Sequence, residues 1–146
     1  MPKKALKDLP LQEISLRKYE EPKGLGREEL IKKFCLSIGL LQPGESRDIV
    51  VNILSILLEA RKTQQALTIP QLLEKLRGRK GTSASNIRRQ LRRLKALKLV
   101  EKVPEGYRIT EFGRIEPIVN DFIIQFIVNP SIERIKEYSR RLDENA

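Results

Sequence analysis

Nine basic residues and no Asp or Glu fall in the 22 positions from Arg77 to Lys98, which therefore carry +9 of a formal net charge of +10. Within that stretch Ala84, Ile87, Leu91, Leu94 and Leu97 recur at spacings of three and four, the period of an α-helix with one apolar edge. Such a helix must bury that edge in a core and leave its remaining circumference in solvent. Solvated helix faces ordinarily mix charge signs and gain i,i+4 pairs. This one has no acid of its own and repels itself until an anion arrives. Polyanions, nucleic acid first, are the expected partners.

The surrounding sequence predicts the elements on which that helix rests. Residues 1–27 read as a polar arm, broken by Pro2, Pro10, Pro22, Gly24 and Gly26, with room for a short strand or helical turn only at Ile14 to Tyr19. An accessory helix follows within residues 28–45, carried by Leu30, Ile31, Phe34, Cys35 and Ile38 and closed by Gly39. Ser46 reads as the N-cap of a central buried helix reaching about Lys62. Thr68-Ile69-Pro70-Gln71 has the form of a capping box with Pro in the first turn. Thr82 or Ser83 would cap the basic helix, Ala84 to Lys98. Alternating residues on both sides of Pro104-Glu105-Gly106 predict a β-hairpin. Helical spacing returns from Glu111 to Val128, and Asn129-Pro130-Ser131 reads as a break before a last amphipathic helix.

The run Ser85-Asn86-Ile87-Arg88-Arg89-Gln90-Leu91-Arg92-Arg93-Leu94-Lys95, followed by Gly106-Tyr107-Arg108-Ile109-Thr110-Glu111-Phe112-Gly113, resembles the winged helix-turn-helix transcription regulators of archaea and bacteria. The resemblance covers about residues 46–113, with Ile109 where that family commonly has Leu. It implies a mainly α fold with a small β-hairpin: a winged helix-turn-helix domain with extra N- and C-terminal helices. It makes the basic helix a recognition helix and the hairpin a wing. It also implies dimerisation through a C-terminal helix within residues 114–146, for which Ile115, Val119, Phe122, Ile123 and Phe126 are candidates. The same stripe could equally be covered by residues 28–41 inside one chain.

The chemistry of the residues gives a site without the resemblance. An α-helix fits the major groove, where Arg bridges guanine and Asn or Gln bridges adenine. Ser85, Arg89 and Arg92 face away from the apolar edge, with Arg88 and Arg93 further round. Ser83, Ser85 and Asn86 are small and polar at the end that would approach bases. Arg77, Arg79 and Lys80 would follow the phosphate backbone. On the hairpin, Lys102 and Arg108 are the residues expected to reach phosphate, since Glu105 occupies its tip.

Two rival readings stay open: a ribosome-associated winged helix that binds RNA, and a winged helix used as a protein–protein module. The expected partners are double-stranded DNA and a second copy of the chain, with transcription regulation by occlusion or recruitment. An enzyme is not expected. There is no His, Cys35 lies among apolar residues, and neither Gly24-Leu25-Gly26 nor Gly78 to Thr82 is a phosphate-cradling signature. No cofactor or metal is expected. A single Cys, no long apolar run and no signal-peptide pattern at Met1 to Leu11 point to the cytoplasm. A charged content of 33% leans toward a heat-adapted surface.

Overall fold

The structure is a computed structural model and describes residues 8–145; the first seven residues of the expected arm lie outside it. The chain is mainly helical, with a small two-stranded antiparallel sheet. In order it forms α1 (Arg27–Ser37), α2 (Ile49–Arg61), α3 (Ile69–Lys75), α4 (Ala84–Ala96), β1 (Val100–Val103) and β2 (Gly106–Ile109). A 3-10 turn (Thr110–Phe112) leads to α5 (Ile115–Ile118), a π-helical segment (Val119–Val128) and α6 (Asn129–Glu144).

Local sequence explains most boundaries. Helix α1 ends because Gly39 adopts φ +81°, which lets the amides of Gly39 and Leu40 bond back to Leu36 O and Cys35 O. At α3, Thr68 Oγ1 accepts from Gln71 N, and Gln71 Oε1 accepts from Thr68 N at 2.8 Å, so both halves of the capping box form. Ser83 Oγ accepts from Asn86 N and starts α4. Lys98 ends it in the left-handed conformation at φ +61°.

Helix α2 is the core. Ile49, Ile53, Leu54 and Leu57 are all but inaccessible, and they meet Leu72, Leu76, Ile87, Leu91 and Leu94 from α3 and α4. Its start differs from the sequence expectation. The N-cap position is Asp48, without a side-chain cap bond, and Ser46 stays in an exposed loop. A turn closed by Gln42 O and Glu45 N, and by Gln42 N and the Glu45 carboxylate, holds the chain there. The helix begins only where Ile49 reaches the core.

The hairpin pairs Val100 with Ile109 and Val103 with Gly106 across the two-residue loop Pro104-Glu105. Leu67 adds a bridge on the outer side of β2, exchanging both backbone hydrogen bonds with Tyr107 at 2.7 and 2.8 Å. The hairpin is thereby fixed to the segment that caps α3.

Two expectations for the ends of the chain change. Residues 14–19 form neither strand nor helix. They are held where the Arg17 amide donates to Ser37 O and its guanidinium to Leu36 O and Leu41 O at the end of α1. Asn129-Pro130-Ser131 does not break the C-terminal helix. Through Val119–Val128 the helix is already widened to the π form, and Asn129 N–H reaches Ile124 O five residues back. That widening accommodates a proline without the clash it causes in a tight α-helix. Ser131 caps nothing; its hydroxyl donates to Ile127 O.

Candidate nucleic-acid interface

The basic stretch is divided by what its side chains touch. Ile87, Leu91 and Leu94 turn α4 into the core, which leaves Ser85, Arg88, Arg89, Arg92, Lys95 and Ala96 exposed. Among the described residues, Arg88, Arg89, Arg92 and Lys95, with Arg79 and Lys80 in the preceding loop, form no ion pair. They make one open positive ridge. Arg77 is the exception in the loop, because its guanidinium is paired with Glu74.

Two residues assigned to this face, Asn86 and Arg93, are half-buried and bonded within the protein. Asn86 Nδ2 donates to Gly81 O at 2.8 Å, and Asn86 Oδ1 accepts from Gln90 Nε2 at 3.2 Å. Gln90 Oε1 accepts from the Arg93 guanidinium at 2.7 Å, and Arg93 donates on to Gly39 O at 2.9 Å. This polar chain runs along one flank of α4, from the glycine loop to the end of α1. It engages one of the two Asn86 amide donors and two of the five Arg93 guanidinium donors inside the protein. In exchange it fixes the rotation of α4 about its axis, because polar groups on a half-buried flank must stay paired.

The hairpin also sorts itself. Arg108 donates to the Glu101 carboxylate at 2.7 Å and stacks over the Phe112 ring at 4.7 Å, so it is not a free phosphate contact. The Glu101 carboxylate also accepts from Glu111 N at 2.9 Å. That backbone bond, ahead of the Arg108 pairing, holds its pKa below the usual carboxylate value. Lys102 remains exposed, its ammonium 6.0 Å from the Tyr107 ring centre. Ser83 is occupied as the cap, while Ser85 lies open beside it, the two hydroxyls 3.4 Å apart.

One cation belongs with the ridge and was missed. Exposed Arg47, in the loop before α2, packs its aliphatic stem beside Gly81, next to the N-terminal end of α4. No sequence signal could have found it, because 34 residues of chain separate it from Gly81.

Of the residues assigned to a dimer face, Ile123 is 2% exposed and belongs to the chain's own core, with Ile127 beside it. Ile115, Val119 and Phe122 pack partly against that core, and the Lys98 ammonium lies over the Phe122 ring. Phe126 is open at 55%. Cys35 is fully buried, and burial pushes its thiol up to about 12; it is a core residue without nucleophilic character at neutral pH. Among the described residues no His, Cys, Asp and Glu cluster is placed to hold a metal ion, and no helix is long and apolar enough to cross a membrane. Comparison with protein-family models, with curated proteins and with solved structures finds no match to this chain.

Proposed function

We propose that this protein binds double-stranded DNA through the outer face of α4 and regulates transcription. One observation carries the reading: Arg88, Arg89 and Arg92 stand on one exposed helix face with no counter-ion among the described residues. The order of α2, α3, α4 and the hairpin supports a winged helix-turn-helix reading, in which the Leu67–Tyr107 bridge would tie the wing to the helix pair. Ser85, Arg89 and Arg92 would face base edges. Arg47, Arg79 and Lys80 would sit on phosphates and set the register. Lys102 is the wing's contribution. Regulation would follow from occupying a promoter or recruiting to it.

The test is a gel-shift titration of the wild type, Arg89→Ala and Arg92→Ala against duplex DNA, duplex RNA and single strands. Each substitution is expected to weaken duplex DNA binding by about tenfold, the scale of one charge-assisted contact. Equal binding by both variants would overturn the assignment of α4. Preference for duplex RNA would replace DNA with RNA as the partner, leaving the surface in place.

A further inference from the structure

The chain from Arg17 to Arg27 is fastened at both ends by polar bonds. At one end Arg17 N–H donates to Ser37 O at 2.9 Å, and its guanidinium donates to Leu36 O and Leu41 O. At the other, in the first turn of α1, the Arg27 guanidinium donates to Ser55 O at 2.9 Å. Between them the chain turns back at Pro22 to Leu25, where Gly24 takes φ +78°. These bonds set how far the stretch stands from α1 and α2, and beneath it lies a cavity of about 530 Å³. Its walls are mostly apolar: Tyr19 and Leu25 from the arch, Ile31 and Phe34 from α1, Leu54 and Leu58 from α2. The volume falls within the ~300–1,000 Å³ of small-molecule sites, which join apolar walls to a few placed polar groups.

Charge among the lining residues selects the ligand. Arg17, Lys18 and Lys33 are set against Glu20 alone, in a chain of net +10. The Arg17 guanidinium is spent on the carbonyls that end α1 and on Gln42, and Lys18 is exposed. Lys33 is half-buried, its ammonium 3.0 Å from Glu20 Oε1 and 4.8 Å from the Tyr19 ring centre. Those two neighbours hold it in place. An ammonium carries three donors, and the pair with Glu20 does not exhaust them. A carboxylate on an apolar body gains a charge-assisted bond to Lys33 while its body leaves water. A neutral molecule of the same body gains only the second, and a cation meets three like charges.

We propose that this cavity binds a small amphipathic carboxylate, with its anionic head on Lys33 and its hydrocarbon body against Phe34, Leu54 and Leu58. The site shares no residue with the outer face of α4 and does not rest on nucleic-acid binding.

The test titrates octanoate into the full chain, with 1-octanol and acetate as separate arms, at moderate ionic strength, and follows the side-chain methyl NMR resonances. Octanoate should shift the methyls of Ile31, Leu54 and Leu58 to saturation. Octanol should shift the same methyls with about tenfold lower affinity, the scale of one hydrogen bond to a charged group. Acetate should leave them in place. Lys33→Met should bring octanoate down to the octanol affinity. The absence of saturable shifts with octanoate, or their confinement to exposed methyls such as Ile135 and Leu142, would overturn the site. Equal affinity for octanoate and octanol in the wild type would overturn the anionic head without recourse to a variant. Unchanged octanoate affinity in a folded Lys33→Met would remove Lys33 as its partner.

Discussion

Gly106 stands where a side chain has no room. Its φ is +138°, and an added Cβ would lie 2.5 Å from the carbonyl carbon and oxygen of Leu67. The glycine lets β2 approach the segment that caps α3, so one missing methyl holds the hairpin beside the basic helix. Gly106→Ala should lower stability by about 2 kcal/mol or more, read as a drop in the urea midpoint. An unchanged midpoint would show that the Leu67 bridge is not a structural tie. At the same scale, the sequence assigned Asn86, Arg93 and Arg108 to ligand contact without showing that each also has partners inside the protein. Their residue types were right for nucleic acid, but their partners were not adjacent in the chain. Arg93 bonds Gly39 O from 54 positions away, and nothing local to either residue announces that.

At the scale of the element, helices with local punctuation were legible and the others were not. Gly39, the Thr68–Gln71 box and Ser83 each act within a few residues of themselves, so α1, α3 and α4 could be read before folding. The start of α2 depends on where the core begins, and the passage through Pro130 depends on a π-helical widening that no period in the sequence marks. The hairpin carries its own switch. Glu101 has a lowered folded-state pKa, so its contribution is present above the unfolded carboxylate value. It fades as pH falls through the lower folded value. The wild type should therefore lose stability on acidification below about pH 4 more steeply than Glu101→Gln, measured as urea midpoint against pH. Parallel curves would remove Glu101 as the residue that holds the Glu111 turn.

Across the whole molecule, charge and grease are kept apart. Arg79, Lys80, Arg88, Arg89, Arg92 and Lys95, which form no ion pair among the described residues, gather on α4 and its preceding loop with Arg47 close by. Of the exposed large apolar side chains, Leu9, Leu11 and Leu16 lie on the arm and all the others except Leu30 on the C-terminal helical run. The core between them is built from α2, which touches both α1 and α4. The sequence announced the first half of this division through composition alone. It concealed the second, because the stripe from Ile115 to Leu142 is continuous in sequence. Only the fold divides it, burying Ile123 and Ile127 and leaving Ile135 and Leu142 in solvent.

The unpaired ridge is best tested by its salt dependence. If Arg47, Arg79, Lys80, Arg88, Arg89 and Arg92 each neutralise a phosphate, the log of duplex DNA affinity should fall with the log of salt at a slope near −5. Affinity that is absent at low salt, or that barely changes across the titration, would contradict the account.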